Sequence, residues 1–278
     1  MPEDRHFKFR APAPSDTDMA TVTRIRAALD NMILEKNGAP ATWGWGPRLR
    51  LAFGHASPDD WYEALLTVTV NSDTRWLDVG CGRDLLPNNV ATARRLSRQC
   101  RKLVGVDPDA NIEENQFVHE RFRGSLEAYV TDQKFDLITL RMVAEHVSSP
   151  DLMVAKLHGL LAPGGRVVIY TVNRRSPSAF VASITPLWLH HAVKRVLWRA
   201  EERDTFETCY LMNDRKTLRS LFDVVGMTEE LFVKLDDCRT TTRFQALQRL
   251  ELSLWRVLNG LNLSYPEACI LAIYRNVP

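Results

Sequence analysis

The spacing of apolar residues along this chain changes several times, and each change marks an element. Between residues 19 and 35, Val22, Ile25, Leu29, Met32 and Ile33 recur at helical spacing and predict an amphipathic helix. Ahead of it, residues 1–18 mix proline with charge and carry no period, the pattern of a flexible tail. Residues 39–46 hold turn formers around Trp43 and Trp45, and Pro58 behind Ser57 opens a second predicted helix that runs to about residue 70. Short apolar runs then predict strands at 75–79, 102–106, 117–121, 135–141 and 166–172. Between them, one helix is expected from near Pro87 to Cys100. Another runs from Ser149-Pro150 to Leu161, closed by Pro163-Gly164-Gly165. Residues 174–211 interrupt this rhythm. Asn213 is then the expected cap of a helix ending before Gly226, followed by a strand at 228–235, a helix near 243–259 and a last strand at 268–275.

Strands that alternate with helices imply right-handed crossovers and an α/β, doubly wound, mostly parallel sheet, here of seven strands. Residues 1–70 form a tail and a helical cap. Residues 71–278 form the binding domain, with an inserted lid at about 174–211.

A net charge of +2 excludes a strong global field toward nucleic acid or a membrane. The five cysteines, at 81, 100, 209, 238 and 269, are scattered and never spaced C-x-x-C, which argues against a disulfide framework and a cysteine zinc site. The first 20 residues do not read as a signal peptide, and no apolar run approaches the roughly 18 residues of a spanning helix. A cytoplasmic location is the expectation.

Chemistry concentrates at residues 76–84, Trp-Leu-Asp-Val-Gly-Cys-Gly-Arg-Asp. A strand ends at Asp78-Val79 and enters a turn holding Gly80 and Gly82, while the next apolar run, Leu103-Val104-Gly105-Val106, ends in Asp107. This is the layout of a nucleoside pocket at the carboxyl edge of a parallel sheet: glycines let the backbone turn and a ligand approach, and the acid accepts ribose hydroxyls. A dinucleotide fold wants G-x-G-x-x-G, and here Leu85 stands where the third glycine belongs.

Four pieces in order carry a resemblance: Leu77-Asp78-Val79-Gly80-Cys81-Gly82, Phe135-Asp136-Leu137-Ile138-Thr139-Leu140-Arg141, Glu145-His146-Val147 and Leu161-Ala162-Pro163-Gly164-Gly165. Over about residues 70–172 the chain resembles the class I S-adenosyl-L-methionine (SAM) dependent methyltransferases, of the small-molecule, UbiE/UbiG-like type. The resemblance implies a Rossmann-like sheet with an antiparallel edge strand, and SAM as cofactor. It implies that Asp78, Gly80, Cys81, Gly82, Asp107, Ser125, Leu126 and Arg141 bind it. Asp78 would reach the methionine end, Asp107 the ribose, Ser125 the adenine amine, and the Leu126 backbone N1 of adenine. Two departures are Asp84, where members often have a third glycine, and Ser125, where many have an acid.

Methyl transfer from a sulfonium asks for alignment and desolvation, and for a base only when the acceptor is protonated. His146 is the first candidate base, since the family places it beside the pocket. His190 and His191 lie in the interrupting segment and are alternatives; each of the three can equally be a packing or solvated histidine. Segment 177–199 alternates Phe180, Ile184, Leu187, Trp188 and Trp198 with Lys194, Arg195 and Arg199. It reads as a lid over an apolar acceptor, as a helix packed on the core, or as a membrane-surface helix, which leaves peripheral membrane contact open. Arg94, Arg95, Arg98, Arg101 and Lys102 can touch phosphates or form a solvated helix face. No acidic triplet suggests a magnesium site, so no metal is expected. The reading is a methyltransferase acting on oxygen or carbon of a small organic acceptor, with no nucleic-acid partner. The alternatives are a macromolecule methyltransferase, of RNA or protein, and a non-catalytic SAM-binding regulatory protein.

Overall fold

The computed structural model describes residues 19–177 and 208–277. Its strands are β1 (Arg75–Val79), β2 (Lys102–Asp107), β3 (Glu120–Arg123), β4 (Phe135–Arg141), β5 (Leu161–Val172), β6 (Met227–Asp236) and β7 (Ala268–Asn276). They form one seven-stranded sheet in the order 3-2-1-4-5-7-6. The pairs from β3 through β5 are parallel, and β7 runs antiparallel to both β5 and β6. The antiparallel strand therefore sits one place inside the sheet, and β6, not β7, forms that edge. The strand order reverses between β1 and β4, the position where open α/β sheets hold ligands beyond their carboxyl ends.

Alternation along the strands divides the core. Trp76, Leu103, Leu137 and Tyr170 face α1 (Met19–Asn37), α3 (Pro58–Thr69) and α4 (Val90–Gln99). Leu77, Val104, Ile138 and Ile169 face the opposite side, against α5 (Pro150–Leu160) and α6 (Arg215–Val224). A strand covered on both faces has to be apolar at nearly every position, which is what the short continuous runs signalled. The N-terminal helices thus share an apolar cluster with the sheet.

Local chemistry explains where the elements start. Ser57 and Asp60 form a reciprocal capping box at the start of α3. The helix expected from near Pro87 begins at Val90, because the Asn89 side chain caps Thr92 N at 3.1 Å. Asp214, not Asn213, caps α6, accepting from Thr217 N at 3.0 Å. Asn213 instead donates to Thr171 Oγ1 and the Val172 carbonyl, tying the helix to the end of β5. β3 starts at Glu120 rather than 117, since Asn115 Oδ1 accepts from Phe117 N at 3.0 Å and holds a turn there. The turn residues read at 39–46 lead into a helix that the sequence reading did not place, α2 (Trp45–Phe53), opened by Gly44 and stopped by Gly54 at φ 69°. The last helix, α7 (Gln245–Gly260), packs on α2.

Candidate functional site

Asp78 is the penultimate residue of β1, its side chain buried on the α3 side. Oδ1 accepts from Thr139 Oγ1 at 2.6 Å, and Thr139 accepts in turn from Trp76 Nε1 at 2.7 Å. Burial pushes the Asp78 carboxyl up to about 7, and the neighbouring Asp107 adds to the rise, against the opposing pull of Thr139 and Arg141.

The turn beyond β1 is built from two glycines with different duties. Gly80 has φ 69° and donates its N–H to the Val106 carbonyl at 2.8 Å. A Cβ there would stand 2.2 Å from Val143 Cγ2, so its steric neighbour is the loop after β4 rather than the ligand. Gly82, at φ 50°, has no heavy atom within 4 Å of where its Cβ would be. Open space over a turn with positive φ lets a ligand approach the backbone closely. Gly82 N donates to Asp107 Oδ2 at 2.8 Å, and Asp109 N donates to Oδ1 at 2.8 Å. Each oxygen of this buried carboxylate keeps a second acceptor direction, so Asp107 is preorganised to take two further hydroxyl donors. The Cys81 Sγ occupies the space left by Gly105, where a Cβ would lie 2.6 Å away, and burial pushes its thiol up.

Gly124 N bonds the Asp107 carbonyl at 2.9 Å, which sets Ser125 and Leu126 beside the end of β2. The Leu126 side chain is in the core and Ser125 is exposed. Six predicted contacts (Asp78, Gly82, Asp107, Ser125, Leu126 and the Gly80 backbone) thus meet around the ends of β1 to β3.

Arg141, at the end of β4, turns toward α3, with its guanidinium 3.6 Å from Asp59 Oδ1. Asp59 is a hub that the sequence did not reveal. Its carboxylate also accepts from Tyr170 Oη at 2.9 Å and pairs with Arg239, which is held in turn by Asp237. Burial raises the Asp59 carboxyl, but Arg239 and Arg141 outweigh it and hold it below its ordinary value. Tyr62 stacks on Tyr170 at 5.1 Å, and burial beside Asp78 raises its phenol. The legible signal was Thr139, a polar residue within an apolar strand. Asp59 looked like an ordinary acid in a first helical turn.

His146 lies in a 3₁₀ turn (Ala144–His146) after β4. Glu145 Oε2 accepts from Thr171 Oγ1 at 2.6 Å, and the Glu145 carbonyl accepts from Cys209 N and Tyr210 N. The stretch around Cys209 therefore docks beside His146. His190, His191 and most of the expected lid at 174–211 lie outside the described residues. On α4, Arg95 is paired with Glu35 of α1 at 2.9 Å.

The profile of a family described as "Methyltransferase domain" matches residues 50–229. A ubiquinone biosynthesis O-methyltransferase of Xanthomonas euvesicatoria pv. vesicatoria is 32% identical over 178 residues, covering 57% of this chain and 71% of the relative. One from a Bradyrhizobium species is 31% identical over 121 residues, and there the chain spans 46% of the relative's length. Among solved structures, the N-methyltransferase NodS from Bradyrhizobium japonicum with bound S-adenosyl-L-homocysteine aligns with TM-score 0.45 and 16% identity, over 91% of this chain and 98% of that one. Among the described residues no helix is long and apolar enough to cross a membrane.

Proposed function

Because this chain belongs to the methyltransferase-domain family and is a SAM-dependent methyltransferase, we propose that it methylates a small organic molecule, at oxygen in preference to carbon. The observation that carries the small-molecule reading is the roof over the sheet edge. The start of α3, through Asp59 and Tyr62, closes down on Arg141 and Tyr170 at the ends of β4 and β5. A site bounded by a buried ion-pair network suits a compact acceptor and not a polymer. The basic helix α4 covers a sheet face, and its Arg95 is paired with Glu35. The preference for oxygen rests on the relatives named for O-methylation.

When bound, SAM supplies a methyl group on a sulfonium, and the protein's task is to hold and align. Asp107 would hold the ribose hydroxyls, the loop at Ser125 and Leu126 would receive the adenine, and Asp78 would face the cationic amino-acid end. The open space at Gly82 lets the backbone lie against the nucleoside. Arg141 acts through Asp59 and Asp78 as a positioning residue. His146 takes the proton of a hydroxyl acceptor, with His191 as the alternative base.

Purified protein incubated with methyl-labelled SAM and a metabolite extract should yield a product one methyl group heavier, detected by mass spectrometry. His146→Gln should lower turnover with little change in S-adenosyl-L-homocysteine affinity. Label entering only protein or RNA would overturn the small-molecule reading.

A further inference from the structure

Beyond the ends of β5 and β6 and the start of β7 lies a cavity of about 800 Å³. That is the size of a site for a small ligand. β4 and β5 separate it from the Asp78–Gly82 turn, an offset of three strand spacings or about 14 Å. Helix α3 reaches both places: Tyr62 lies beside Asp78, and its neighbour Trp61 lines the cavity.

The wall is aromatic on several sides, from Trp61, Phe232, Trp255 and Tyr265, and cationic at Lys234 and Arg175. Both cations are exposed, and neither is in an ion pair among the described residues. Arg215 also lines the cavity, but its guanidinium is held by Glu229 at 2.7 Å. The acid on this wall, Asp236, is occupied: its Oδ2 accepts from Trp255 Nε1 at 2.8 Å and Asn259 Nδ2 at 3.2 Å. His55 lines the cavity as a neutral ring, because burial lowers it to about 4 and its Nε2 lies 3.0 Å from the Asp236 carbonyl. Two cations, Lys234 and Arg175, thus face this space against the one carboxylate of Asp236, so its balance of charge is positive, set among rings.

We propose that this cavity holds the non-reacting part of the acceptor, and that the acceptor is an amphipathic anion: an apolar ring or chain carrying a carboxylate or phosphate. The rings desolvate the apolar body, while Lys234 and Arg175 meet the anion at the mouth. This inference rests on the small-molecule reading above and specifies its substrate class.

The test is calorimetry on the full chain saturated with S-adenosyl-L-homocysteine, using 2-naphthoate, 2-naphthyl phosphate and the neutral methyl 2-naphthoate as probes. At least one anion should bind about tenfold or more tightly than the ester, as a charged hydrogen-bonding partner provides. The double variant Lys234→Gln, Arg175→Gln should remove that preference and leave the ester and the S-adenosyl-L-homocysteine affinity unchanged. Equal binding of ester and anions, a preference that survives the double variant, or no binding of any probe would each overturn the proposal. The first step, S-adenosyl-L-homocysteine binding, fails separately if the cofactor reading is wrong.

Discussion

The hydroxyl of Thr139 donates to Asp78 at 2.6 Å in a place that excludes water from both side chains. One short hydrogen bond does not replace the hydration of a carboxylate, so burial wins and Asp78 titrates near 7. In the proposed cofactor site, Asp78 is thus a carboxyl poised to lose its proton when a cation arrives.

The first consequence is a pH-dependent affinity. Below about 7 Asp78 is protonated and offers no counter-charge, and above it the carboxylate is formed. S-adenosyl-L-homocysteine binding should weaken as pH falls from about 8 to 6, with protons released on binding near neutrality. Calorimetry in two buffers of different ionisation enthalpy measures that release. Asp78→Asn should bind roughly tenfold more weakly at pH 8 and show no such release. A flat wild-type profile would rule Asp78 out of this role.

The same residue predicts a stability effect of opposite sign. Its carboxyl in the folded chain lies above its ordinary value, so its contribution is fully present below about pH 4 and is lost as pH rises through about 7. Asn keeps an acceptor for Thr139 without the buried charge. Asp78→Asn should therefore melt higher than wild type at pH 8 and no differently at pH 4, by thermal denaturation. A lower Tm at pH 8 would contradict the burial argument.

The ends of β1 and β2 were legible because their chemistry is local. Asp78, Gly80, Gly82 and Asp107 sit within two short motifs, and short continuous apolar runs placed the strands that carry them. Asp59 and Arg239 were not legible: they are 180 residues apart and meet only because α3 folds over the sheet edge. Gly80 was recognisable as a turn glycine, but its neighbour Val143 comes from the loop after another strand. The inner position of β7 was hidden for the same reason, since strand order depends on how crossovers pack and not on the pattern within a strand.

Gly80 and Gly82 should fail differently. Gly80→Ala forces a Cβ to within 2.2 Å of Val143 Cγ2 at φ 69°, which should cost about 2–4 kcal/mol of folding stability. Val143→Ala in the same chain should recover part of that loss. Gly82→Ala meets no protein atom, so strain at φ 50° should cost about 1 kcal/mol, while S-adenosyl-L-homocysteine affinity falls at least tenfold. Urea denaturation and calorimetry separate the two. A stable Gly80→Ala protein, or wild-type affinity in Gly82→Ala, would reverse the assignment.

Asp59 joins the cap to the sheet edge through Tyr170, Arg141 and Arg239, and the two arginines hold its carboxyl below the ordinary range despite burial. For an acid with a lowered value, the stabilisation is present above the ordinary carboxylate range and is lost as pH falls below it. Removing the charge strands the Arg141 guanidinium and leaves Arg239 on Asp237 alone, so Asp59→Asn should destabilise the fold by about 3 kcal/mol at pH 7, and by progressively less toward pH 3. Arg239→Gln should cost less, since Asp59 keeps Arg141 and Tyr170. The double variant should be less destabilised than the sum, with a coupling of about 1–3 kcal/mol. S-adenosyl-L-homocysteine affinity should stay within a few-fold of wild type, because Asp59 lies over β4 and β5 rather than at the glycine turn. Additive losses by urea denaturation would mean that the pair is geometric only, and that the cap is held by the apolar packing of α1 and α3.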